Sequence, residues 1–154
     1  MKICADENVA PKLSARIREQ LLSADFTLNT VDDHAARGVE DEIWVRKFAD
    51  AGGGAIVGGD FNLTKKPHEL VAIKETGLRL IVLNKRWPRE KLHIQISYLF
   101  YWWPHIEEML RSSTPGECLQ VPWGWGETEG RICPIKIDLQ RAQKQLKRAR
   151  KRTK

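Results

Sequence analysis

Short apolar runs alternate with helical spacings along most of this chain. Residues 2–5 read as a first strand. Pro11 then opens a helix with Leu13, Ile17, Leu21 and Leu22 on one face. Residues 26–31 alternate apolar and polar positions and predict a second strand. Asp41 starts a second helix, with Ile43, Trp44, Phe48 and Ala49 as its apolar side, and Gly52-Gly53-Gly54 stops it. Residues 55–58 form a third short apolar run. Pro67 opens a helix to about Thr76, closed by Gly77, and residues 79–83 give a fourth strand. Residues 89–111 are a long amphipathic stretch that Trp103-Pro104 is expected to kink or split. Residues 118–121 and 131–137 read as two late strands, forming a hairpin or adding to a sheet edge. A helix rich in basic residues follows from Leu139.

Strand and helix alternate with short connections, which argues for a parallel sheet covered on both faces by helices. In such sheets ligands bind at the carboxyl ends of the strands. Ala55-Ile56-Val57 runs into Gly58-Gly59-Asp60, and the first strand ends at Asp6. The glycines permit a sharp turn and a close neighbour. Asp41, at the start of its helix, is expected on the same edge. Three convergent carboxylates repel one another unless a cation neutralises them. All-oxygen ligands suit Mg²⁺ or Mn²⁺ better than zinc. Taken singly, Asp41 is slightly better explained as a helix cap or a first-turn acid favoured by the helix dipole. Glu40 is the second choice for the helix acid.

Lys65, Lys66 and His68 follow Asp60 beside a helix start, a setting for phosphate contacts. A solvated loop is the plain alternative. Glu69 in the first turn is explained by the dipole. Asn8 and Asn62 are candidates to touch substrate, and Asn8 otherwise makes an Asx turn. No GxSxG, Walker or GxGxxG pattern is present. Trp102-Trp103 and Trp123-Gly124-Trp125 suit base stacking, but a core or dimer contact is the commoner role.

Composition sharpens this picture in two places. The chain has 154 residues and a net charge of +6, enough for one domain with an appendage. Eight of its basic residues lie between Leu139 and Lys154 with no acid among them, so the remainder carries 18 basic against 20 acidic residues. The basicity therefore belongs to the tail, which suits a polyanion such as nucleic acid or is simply a solvated segment. The three cysteines have no CxxC spacing and read as free thiols. No apolar run is long enough for a membrane span, and no signal peptide is evident, so a cytoplasmic setting is expected.

Ala5-Asp6-Glu7-Asn8-Val9, Gly38-Val39-Glu40-Asp41-Glu42-Ile43 and Ile56-Val57-Gly58-Gly59-Asp60 together resemble the spaced acidic motifs of PIN-like nucleases. The continuation through Pro67-His68-Glu69-Leu70, with Ala72, Gly77, Leu83 and Trp103-Pro104, is similar to the VapC45-type PIN-like toxins. The likeness covers about residues 1–121 and leaves 122–154 as a tail with a short strand and a basic helix. It implies a three-layer α/β/α fold with a mainly parallel sheet of four or more strands. It also implies a Mg²⁺- or Mn²⁺-dependent ribonuclease, often the toxin partnered by an antitoxin protein.

Carried onto this chain, the metal-site and catalytic acids are Asp6, Asp41 and Asp60. The substrate contacts are Asn8, Asn62, Lys65, Lys66 and His68. PIN nucleases commonly carry a fourth acid shortly after the third, where this chain has Asn62 and Thr64. That departure supports an alternative, an inactive PIN-like nucleic-acid-binding or regulatory module. A phosphatase-like reading would use similar carboxylates with Lys85. RNA, an antitoxin and a second copy of the chain are the expected partners, with no membrane.

Overall fold

The computed structural model describes residues 1–34, 39–59, 65–125 and 130–153. Strands β1 (Lys2–Ala5), β2 (Thr27–Thr30), β3 (Gly53–Gly58), β4 (Arg79–Val82), β5 (Cys118–Gln120) and β6 (Cys133–Pro134) form one sheet in the order β2-β1-β3-β4-β5-β6. The first five are parallel, and β6 is antiparallel to β5 at the edge. The helices are α1 (Pro11–Gln20), α2 (Asp41–Asp50), α3 (Pro67–Thr76), α4 (Leu92–Ser112) and α5 (Leu139–Arg152). The protein is a three-layer α/β/α fold.

Both faces of the sheet are buried, and the period of two sorts each strand between two cores. Ile3, Ala5, Ala55, Val57, Ile81 and Leu119 meet the apolar sides of α1 and α4 on one face. Cys4, Ile56, Leu80, Val82 and Cys118 meet Trp44, Val45 and Phe48 of α2 and Ala72 and Ile73 of α3 on the other. Parallel strands leave no room for solvent on either side, which is why these runs are nearly all apolar. The thiols of Cys4 and Cys118 are unpaired and buried, and Cys133 is exposed. Burial pushes the Cys4 thiol up to about 12.

Several boundaries differ from the sequence reading for identifiable reasons. β2 is shorter than 26–31, because Thr30 caps a 3-10 turn over Val31–Asp33: its backbone N–H donates to Asp33 Oδ2 at 2.7 Å. Pro104 does not split α4, which is helical from Leu92 to Ser112. Pro104 faces solvent, so water can satisfy the carbonyl that its missing N–H leaves unbonded. Ile43 is not a core residue; it is 43% exposed, whereas Trp44 beside it is 1% exposed. The expected strand over 131–137 reduces to Cys133–Pro134, where proline at the edge cannot donate to a ladder.

The basic segment is docked on the rest of the protein. α5 lays Ala142, with Leu139 and Leu146, onto Leu70 and Val71 of α3, and Ile137 joins the same cluster. Fully burying a valine or leucine side chain stabilises by roughly 1.5–3 kcal/mol. This contact covers the outer face of α3. It explains why Leu70-Val71-Ala72-Ile73 is an unbroken apolar run: the helix is covered on two sides.

Candidate functional site

β1 leads through α1 to β2 on one side, and the chain then crosses to β3 on the other side of β1. The strand order therefore reverses between β1 and β3, the switch point where open α/β sheets leave a crevice. Asp6 stands at this point and is 6% exposed. Its Oδ1 accepts backbone N–H bonds from Asn8 at 2.9 Å and Gly59 at 3.1 Å. The Asx turn expected of Asn8 is thus made by Asp6. The bond from Gly59 ties the end of β3 to the end of β1.

Glycine is required at position 59. A Cβ there would stand 2.8 Å from Asn8 Cβ and 3.0 Å from its backbone oxygen. The close neighbour that the sequence anticipated is the backbone turn after β1. Asp60, the next residue, and Asn62 lie outside the described residues, so the expected convergence of Asp6, Asp41 and Asp60 is not displayed. Among the described residues no group of three His, Cys, Asp or Glu side chains closes into a metal cluster.

The amino ends of α2 and α3 bring a second set of groups together. Asp41 opens α2 and is partly buried. Its Oδ1 accepts the indole N–H of Trp44 at 3.0 Å, and its Oδ2 lies 3.1 Å from Lys66 Nζ. Glu40 is exposed at the N-cap and makes no capping bond, so Asp41 is the inward acid of the pair. Burial raises the Asp41 carboxyl, but its contacts with Glu69, Trp44 and Lys66 outweigh that and hold it below the usual carboxylate range.

Glu69 is the residue that sequence reasoning passed over. Its side chain is 1% exposed and lies against Asp41. Lys66 Nζ is 2.8 Å from Glu69 Oε1, while His68 Nε2 is 3.6 Å away. Both Glu69 oxygens are buried, and among the described residues neither accepts a hydrogen bond of ordinary geometry. Burial pushes the Glu69 carboxyl up to about 7. Lys66 opposes the rise, and the neighbouring Asp41 adds to it. The Lys66 ammonium is in turn held charged by Glu69 and Asp41.

The signal for Glu69 was present. It precedes the four-residue apolar run of a helix covered on two sides, and such a helix has little solvent-facing surface for a first-turn acid.

The arrangement is therefore a half-neutralised carboxylate pair bridged by one lysine, on the same edge of the sheet as the switch point that carries Asp6. Lys65 is exposed next to it, and Asn8 and Glu7 are also exposed. A recess of about 310 Å³ lined by Asp6, Glu7, Thr30 and Asp32 opens on the same edge. Further along the sheet, the Tyr98 hydroxyl accepts the Asn84 N–H at 3.3 Å and donates to Pro122 O at 2.9 Å, fixing the loops after β4 and β5. Among the described residues, no helix is long and apolar enough to cross a membrane.

A family described as a PIN like domain matches residues 1–85, which hold β1 to β4 and all the acids above. Comparison with curated proteins and with solved structures gave no match. With more than half its length matched, the chain belongs to the PIN-like domain family.

Proposed function

We propose that this protein is a metal-dependent endoribonuclease of the VapC45 type, the toxin of a toxin–antitoxin pair. Its catalytic unit would span residues 1–121. The observation that carries the reading is the Asp41–Glu69 pair: two adjoining carboxylates, one almost wholly buried, with a single lysine between them. A structural role would favour pairing each acid fully or replacing it with an apolar group. Crowded carboxylate oxygens, with the proton affinity of Glu69 raised by burial, are instead the donor set of a hard divalent cation.

The donor chemistry, carboxylate oxygen throughout, suits Mg²⁺ or Mn²⁺. Asp6, Asp41 and Asp60 would hold the ion, with Glu69 on α3 as a further carboxylate beside Asp41. When bound, the ion supplies charge neutralisation at phosphate oxygens and activation of water. The chain's own groups do the rest. Without the ion, burial favours a proton on Glu69; a bound cation would hold it ionised. Lys66 keeps Asp41 ionised and shields the pair from mutual repulsion. Lys65 and His68, with Asn8 and Asn62, are the candidate contacts to the phosphate backbone.

The test is cleavage of mixed single-stranded RNAs by purified protein with Mg²⁺ or Mn²⁺. Cleavage should be abolished by a chelator and by Asp41→Asn, with the fold retained. Lys66 favours a second reading, an inactive binding module, because its ammonium already neutralises the site. RNA binding without cleavage, and no heat of Mg²⁺ or Mn²⁺ binding by calorimetry, would decide for that module.

A further inference from the structure

Beyond the acids, a groove of about 440 Å³ separates the start of α3 from the start of α5. Three cations line it: Lys65 before α3, Lys136 after β6, and Arg141 in the first turn of α5. All three are exposed. None of their side chains has a hydrogen-bond or ion-pair partner among the described residues. Asp138 is the one acid in the described lining, and its carboxylate is engaged: Oδ1 accepts the Arg141 backbone N–H at 2.9 Å as the cap of α5. The groove floor is apolar, with Leu70 and Ala142 packed together beneath it. Unpaired cations are thus held around a ready-made trough by a helix that the hydrophobic contact fixes in place.

The position of the groove gives it a direction. Lys65 is the immediate chain neighbour of Lys66, which touches both Asp41 and Glu69. Consecutive Cα atoms are about 3.8 Å apart, so the groove starts one residue from the acid pair. Two of its three cations, Lys136 and Arg141, lie outside the residues matched by the PIN-like family. They belong to the carboxyl-terminal segment of this chain, which the family does not supply.

We propose that this groove is a backbone-phosphate subsite for single-stranded RNA, guiding the strand from the acid pair along α5. The inference rests on the ribonuclease reading for its substrate. An extended polyanion suits the site because the cations are spread along a trough with no base-reading or enclosing pocket. Phosphate contacts of this kind position a strand without reading its sequence. The remaining basic residues of α5 continue the positive surface beyond Arg141.

The test uses the full chain carrying Lys136→Gln and Arg141→Gln, with Lys147→Gln and Lys151→Gln as a charge-matched control on the distal part of α5. Binding of a fluorescent 12-nucleotide single-stranded RNA is measured in chelator over a range of salt, together with binding of a trinucleotide. Each single-strand phosphate contact contributes about −0.7 to the slope of log affinity against log salt. The groove variant should therefore lose about tenfold in 12-mer affinity near physiological salt, and its slope should flatten by about 1.4. Trinucleotide binding and the cleavage rate at saturating protein should stay unchanged, and the control pair should have a clearly smaller effect.

Equal effects of the two pairs would overturn the proposal in favour of a diffuse tail. So would an unchanged 12-mer affinity, whether or not the variant loses an acidic protein partner. Wild-type protein that binds the 12-mer through the groove but never cleaves with Mg²⁺ or Mn²⁺ would remove the ribonuclease reading and leave the subsite standing.

Discussion

Replacing Glu69 by glutamine tests the central feature of the site through folding stability, with no need of a substrate. The Glu69 carboxyl moves from an ordinary 4.5 to about 7 in the fold. Each pH unit of displacement is worth about 1.4 kcal/mol, so full ionisation costs the folded state about 3 kcal/mol. The sign follows from proton linkage. Below pH 4.5 both folded and unfolded chains hold the proton, and there is no penalty. Between 4.5 and 7 the folded chain keeps a proton that the unfolded chain has released, so stability falls as pH rises. Above 7 the penalty is complete.

Glutamine cannot ionise and escapes the whole effect. Urea unfolding followed by tryptophan fluorescence, compared at pH 5 and pH 8, should show Glu69→Gln gaining about 2–3 kcal/mol on the wild type across that window. Mg²⁺ should shrink the wild-type penalty by holding Glu69 ionised, and should stabilise the variant, which keeps the other three acids, by a smaller amount that does not grow from pH 5 to pH 8. Stability curves for the two proteins that run parallel from pH 5 to pH 8 would refute the buried-carboxylate argument and, with it, the placement of Glu69 against Asp41.

Asp60→Asn removes one charge at constant size; RNA cleavage in Mg²⁺ should disappear while the circular dichroism spectrum is kept, and equal cleavage would point to another site. Gly59→Ala drives a methyl group against the turn at Asn8, so thermal unfolding should report a loss of about 1–3 kcal/mol. Glu107 is 2% exposed on α4, accepting N–H bonds from Ser23 at 3.0 Å and Trp103 at 2.9 Å, with Arg111 at 3.5 Å. Glu107→Ala strands those partners and should cost about 3 kcal/mol by denaturant titration, whereas a change below about 0.5 kcal/mol would mean the network contributes nothing.

The sequence by itself determined the layered fold and most of its elements. Local periodicity and punctuation carry that information: Pro67 and Gly77 bracket α3 as the pattern predicts, and Gly77 takes the left-handed conformation, φ 73°, that closes a helix. It also placed Asp6 at a strand end and Asp41 at a helix start, because both positions follow from where an apolar run stops or begins. That Asp41 turns further inward than Glu40 follows from Trp44, three residues on, which faces the core and reaches back to Asp41.

What a residue meets across the fold is another matter. Ile43 reads as core and is exposed, because α2 turns a narrower face inward than its apolar residues suggest. Pro104 reads as a break and is carried within one helix, because the face it lies on is solvated. Glu69 reads as a dipole acid, yet α2 packed against α3 puts it beside Asp41 and Lys66 and out of water. The basic segment reads as a tail, and only the packing of Ala142 on Leu70 and Val71 turns it into one wall of a groove. In each case the deciding partner is far away in sequence. Burial and charge pairing depend on that partner, and no local pattern encodes it.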